Sequence, residues 1–194
     1  MRLVPYVLLV FVLGTVAGPL LDQIHVQSGA LSYEHPWLWD QAWWVGPQFG
    51  LAFAFLAGTA VTVQHHLGSR EPEMVPVARM AQQFAWFVAA YAATGLLWRE
   101  PALLTVVLLG GLALRLASVR PDVPAVRTIV LLALVGTAYE ATLSSIPGTF
   151  GYAETSGLPV PLWLPLLYAH GAPILRSFMR NAVAAANRGR TVPA

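Results

Sequence analysis

The chain has 194 residues, of which 57% are hydrophobic and 10% charged, with a formal net charge of +2. That composition excludes an ordinary soluble domain, and so small a charge excludes a nucleic-acid surface. The absence of cysteine excludes disulfides, thiolate metal sites and thiol nucleophiles, and all 11 basic side chains are arginine.

A spanning helix needs about 20 apolar residues to cross about 30 Å of hydrocarbon. Low-charge stretches of about that length run over 3–21, 43–64, 80–98, 102–118, 126–146 and 162–179. They predict an all-α polytopic membrane protein whose six transmembrane helices form one domain over 1–194. The first stretch also fits a signal peptide, with Arg2 ahead of the apolar run and Thr15-Val16-Ala17 as a cleavage site. Six crossings, however, gather Arg2, Arg70, Arg79, Arg115, Arg120, Arg127, Arg176, Arg180, Arg188 and Arg190 on one side and leave Arg99 on the other. The positive-inside rule then puts both termini in the cytoplasm.

After the first helix, Asp22 to Gln41 reads as the longest outer loop, with Trp37, Trp39, Trp43 and Trp44 suited to an interfacial belt. The second helix opens Trp43-Trp44-Val45-Gly46-Pro47-Gln48-Phe49-Gly50. Its small residues permit close backbone approach, which serves plain helix packing or shapes a cavity wall with Gln48 facing in. Gln82 and Trp86 share a face of the third helix, at a spacing that also suits interhelical glue. Arg99-Glu100-Pro101 joins helices three and four in a hairpin, and Pro121-Asp122-Val123-Pro124 makes a tight turn before helix five.

Glu140, next to Tyr139 on the fifth helix, is the one carboxylate inside a predicted span. Insertion of an acidic side chain at mid-helix costs about 2.5–3.5 kcal/mol, so it reads as a polar group at a lipid site or a proton carrier. The sixth helix carries Trp163-Leu164-Pro165, His170-Gly171 and Pro173. Its prolines predict a kink whose freed carbonyls need other partners. No histidine has metal-ligand spacing with a carboxylate, and no Gly-x-Ser-x-Gly elbow or paired intramembrane aspartates occur, so neither a metal, a cofactor nor an enzyme is expected.

Two sets of residues carry a family resemblance. Ala42-Trp43-Trp44-Val45-Gly46-Pro47, then Gly50, then His66-Leu67-Gly68, are similar to the second helix and following cytoplasmic turn of the Insig proteins. Gly148, Tyr152, Trp163-Leu164-Pro165, Gly171 and Arg180 resemble that family's last outer loop and sixth helix. Insig proteins are endoplasmic reticulum membrane proteins that bind oxysterols within the bilayer and hold Scap and a sterol-regulated reductase. The resemblance therefore implies a lipid-accessible cavity near mid-membrane, lined by central helices, and binding without catalysis. Where the family has an Asp-Arg pair for the Scap contact, this chain has Val119 and Arg120, so a Scap-type partner is not expected.

The expected function is an Insig-like bacterial protein of the cell membrane that binds a lipid: diacylglycerol, a phospholipid or a sterol-like molecule. Helices one to five form the site, with Gln48, Gln82, Trp86, Tyr139 and Glu140 as its polar and aromatic candidates. The alternatives are a small proton-coupled transporter using Glu140 and, behind it, a lipid-modifying enzyme. Gly46, Gly50 and Gly110-Gly111 also suit a homotrimer or dimer, although packing within one chain uses the same kind of face.

Overall fold

The computed structural model describes residues 3–67, 73–119, 121–155 and 157–188. Among them are six helices: α1 (Leu3–Ser28), α2 (Val45–Leu67), α3 (Val77–Leu97), α4 (Pro101–Val119), α5 (Val123–Ser144) and α6 (Leu164–Arg188). By length and composition α1, α2, α4 and α5 can each cross a membrane. They leave large apolar side chains exposed, among them Val12, Val16, Phe55, Val106 and Leu134, as helices do whose solvent is lipid. The expectation of an all-α polytopic fold holds, and two short strands, β1 (Leu31–Tyr33) and β2 (Phe150–Tyr152), are added to it.

Three boundaries differ from the sequence reading for physical reasons. The first helix does not stop before Asp22 but continues through Pro19 to Ser28, which brings Asp22 and His25 into the helix and makes Asp22 a second carboxylate inside an apolar segment beside Glu140. Asp22 is tolerated inside the helix because its carboxylate accepts from Tyr33 and Gln41. Helix five starts at Val123, because Asp122 caps it by accepting from the Ala125 N–H and Pro124 stands in the first turn, where a missing N–H costs nothing. Helix six runs on to Arg188, and its second half is alanine-rich and buried at Ala182, Ala184 and Ala185.

The helices group into two compact units, and α1, α3 and α6 each pass from one into the other. The first unit comprises Met1–Leu20, Trp44–Gln82 and Ile174–Ala194. Its core is Tyr6, Val10, Ala57, Ala182 and Ala185, with Phe53 set edge-on to Phe178 at 5.5 Å. Gly14 and Gly18 on α1 face Gly46 and Gly50 on α2 at a four-residue spacing. A Cβ on Gly14 would lie 2.8 Å from the Phe53 ring, and one on Gly50 would lie 2.8 Å from the Phe11 carbonyl. These glycines are what lets the two backbones meet. Asn181 then pins the segment before α3, accepting from the Val75 N–H at 2.7 Å and donating to the Val75 carbonyl at 3.2 Å.

The second unit comprises Leu21–Trp43 and Gln83–Pro173. Its core is built from Ala90, Tyr91, Leu104, Leu108, Val160, Trp163, Leu164 and Leu167. Trp98 donates its indole N–H to the Ser28 carbonyl at 3.1 Å, tying the end of α3 to the end of α1. Across the top of this unit β1 and β2 pair antiparallel, with Leu31 opposite Tyr152 and Tyr33 opposite Phe150.

Candidate functional site

The second unit holds two carboxylates bonded by phenols, Asp22 buried and Glu140 partly buried. Asp22 comes from α1, Tyr33 from β1 and Gln41 from the loop before α2. The Tyr33 hydroxyl donates to Asp22 Oδ2 at 2.7 Å and the Gln41 amide donates to the same oxygen at 3.1 Å. Gln41 reaches Asp22 because the chain reverses over Leu38–Gln41 in a two-residue turn, with Trp39 at φ 54° and Asp40 at φ 60°. Positive φ at both central residues is the geometry of a tight hairpin turn, usually taken by Asn-Gly, so a tryptophan there is held under strain. The same turn leaves Trp37, Trp39 and Trp43 exposed, as an interfacial belt requires.

Glu140 on α5 accepts from the Tyr152 hydroxyl of β2 and from the Tyr168 hydroxyl of α6, the latter at 2.5 Å. Gly136 makes the second bond possible: a Cβ at that position would collide with the Tyr168 ring, so the absence of one lets the ring cross α5 one turn before Glu140. Because β1 and β2 are paired, the donor to Asp22 and one donor to Glu140 sit on the same two-stranded sheet. Burial raises the Tyr33 hydroxyl well above the usual phenol range and the Asp22 carboxylate adds to it; burial and then Glu140 do the same to Tyr152. Both phenols therefore stay protonated and donate.

A second polar array lies deeper in this unit. His25 shares a hydrogen bond of 2.7 Å with Thr94 and stacks on Tyr91 with ring centroids 4.9 Å apart. On α6, His170 bonds the Leu108 carbonyl at 2.9 Å through Nε2, and its own carbonyl accepts from Arg115 at 2.8 Å. Pro173 has no N–H to give the helix ladder at this turn. The carbonyl it leaves without a ladder partner is that of Ala169, four residues back, and the next carbonyl, that of His170, accepts from an arginine of α4.

The five candidates from sequence are placed unequally. Glu140 lies inside the phenol network, whereas the neighbouring Tyr139 is 46% exposed on the other face of α5. Gln48 and Trp86 are partly buried and Gln82 is exposed. Gln48 and Gln82 belong to the first unit, Trp86, Tyr139 and Glu140 to the second. Among the motif residues Trp163 is 1% exposed and Gly171 closely faces the Phe87 ring, while Arg180 donates to the Glu73 carbonyl at 3.2 Å. Trp44, Pro47 and Pro165 stand at the first turns of α2 and α6. Gly68, Arg120 and the side chains of His66 and Val119 lie outside the described residues. Sequence reasoning missed Asp22, Tyr33, Gln41 and Tyr168, since no helical or strand spacing links them; the continuing apolar pattern through Leu20-Leu21 and Ile24 was the one available signal for Asp22. Among the described residues no group of three or more histidines, aspartates or glutamates could hold a metal ion.

No protein-family profile and no curated sequence matches the chain. Two solved structures do. One is a mycobacterial Insig homologue, MvINS from Mycobacterium vanbaalenii, 26% identical, with a TM-score of 0.73 over 95% of this chain and 96% of that one. The other is a cross-linked trimer of a cysteine variant of MvINS, 26% identical, with a TM-score of 0.74 over 98% of this chain and 97% of that one.

Proposed function

We propose that this chain, a prokaryotic Insig homologue in fold, binds a membrane lipid within its helices and acts by binding, without catalysis. The observation that carries the reading is the six-helix likeness to a mycobacterial Insig homologue over 98% of the chain. The two motifs read from sequence, one around Trp43-Trp44 and Pro47, the other around Trp163 and Pro165, support the same reading. The ligand class is a two-chain glycerolipid, diacylglycerol or phospholipid, or a sterol-like molecule, held by apolar burial and oriented by a few polar side chains.

In this reading the six helices act as one transmembrane domain in the bacterial cell membrane with both termini cytoplasmic. Gln48, Gln82, Trp86, Tyr139 and Glu140 supply the polar and aromatic contacts. Glu140 has the best support among them, because two phenols fix its carboxylate. The chain assembles as a homo-oligomer, a reading supported by the trimer of the cross-linked neighbour. No Scap-type partner is part of it.

The test is mass spectrometry of full-length protein purified in mild detergent. A co-purified lipid, displaced by saturable addition of the same lipid, is the expected result. Protein that stays empty and shows no saturable binding of diacylglycerol, phospholipid or sterol overturns the function.

A further inference from the structure

Arg115 is the least expected buried group in the chain. Read from sequence it belongs to the cytoplasmic arginines, four residues from the end of α4 and free to reach the headgroups. In the structure it is 6% exposed. Helical side chains lean toward the helix N-terminus, and Arg115 follows that lean, because its guanidinium donates to the carbonyl of the same His170 whose ring is bonded to Leu108. Leu108 lies seven residues back along α4, about 10 Å at 1.5 Å per residue. The cation is thus drawn toward the middle of the helix and away from its nearer end.

Its bonding there is incomplete. One nitrogen, Nη1, reaches His170, while Nη2 is fully buried and has no hydrogen-bond partner. No carboxylate pairs with the guanidinium among the described residues. The ring of His170 is left in the same condition: Nε2 faces a carbonyl and must carry the hydrogen, so in the neutral ring Nδ1 is a bare acceptor, and it too is buried without a partner. Gly111 of α4 lies against this ring, where a Cβ would come to 3.4 Å of it, ordinary contact distance. A buried arginine with an unused donor and no counter-charge is among the most costly arrangements in an apolar segment, and such residues mark ligand sites in membranes.

We infer that Arg115, with His170 beside it, receives the anionic oxygen of a lipid head group, a phosphate or a carboxylate, between α4 and α6. Nη2 donates a charge-assisted bond to the anion, and a hydroxyl on the same head group satisfies Nδ1. The inference rests on the lipid-binding reading and narrows it from lipids in general to anionic ones. Phosphatidylglycerol offers both the anion and the hydroxyl, palmitate the anion alone, and diacylglycerol the hydroxyl alone.

The experiment is a native mass spectrometry titration of the full chain in detergent with these three lipids, on wild type, Arg115→Gln and Arg115→Lys, with thermal stability recorded for each. The expected result is tighter binding of the anionic lipids than of diacylglycerol in wild type, about tenfold or more of which is lost in Arg115→Gln while diacylglycerol binding is retained. Loss confined to phosphatidylglycerol assigns a phosphate, and loss confined to palmitate a carboxylate. If Arg115→Gln fails to fold, Arg115→Lys is read in its place: the charge is kept and the planar fork removed, so weaker anionic binding supports the site and unchanged binding overturns it. Equal binding of anionic and neutral lipids in wild type and variant overturns the inference and leaves the lipid function standing. Binding of none of the three overturns the inference, and if a sterol does not bind either, the lipid function with it.

Discussion

Carboxylates placed in apolar helices must be surrounded by donors, and Asp22 and Glu140 are served by three tyrosines and a glutamine. Two of the phenols, Tyr33 and Tyr152, stand outside the helices, and burial followed by a neighbouring carboxylate raises both above the ordinary value of 10.0. The sign follows from linkage: the unfolded phenol ionises above about pH 10 while the folded one keeps its proton, so the stability it contributes is complete below that pH and lost as pH rises beyond it. The melting temperature in detergent should therefore fall above about pH 10, and Tyr33→Phe should flatten part of that fall. A variant curve that runs parallel to wild type would remove Tyr33 from the account. Glu140 was legible from sequence as an isolated charge in an apolar run. Its partners were not, because Tyr152 and Tyr168 are delivered by a strand and by a neighbouring helix, and only the packed chain brings them together.

At the scale of elements, glycine decides which helices touch. Gly50 meets Thr15 and Phe11 across the α1–α2 contact, whereas Gly58, eight residues further along α2, faces open space. Gly50→Val should cost about 1–3 kcal/mol through forced separation of the helices. Gly58→Ala should be neutral or stabilising by up to about 1 kcal/mol, because alanine is the better helix former. Thermal or denaturant unfolding in detergent separates the two, and equal effects would mean that the α1–α2 contact is not tight. The small residues at Gly46 and Gly50 were readable from sequence as a packing face. Which surface would fill it was not, and the structure assigns both glycines to contact within one chain. Gly110 is left in open space, and Gly111 is turned to His170. The helix cores were equally legible from hydropathy. Their ends were not wherever a polar residue had a tertiary partner, as Asp22 has in α1 and Asn181 in α6.

At the scale of the whole molecule, six apolar runs were enough to give the class of fold, because in lipid every backbone group needs a partner and helices supply it locally. The two three-residue strands carried no such signal, being too short for any period to show. Yet they join the loop after α1 to the loop after α5, with four helices between them in the chain. Half of this sheet is made early in synthesis and waits for a partner made late. The face that carries the sheet is consequently sealed only when the fifth helix has been made, and the seam reports on completed folding. A chain truncated after α5 and before Phe150 should expose the Leu31–Tyr33 segment to added protease, and the full chain should resist. Equal cleavage of the two would mean that the seam secures nothing.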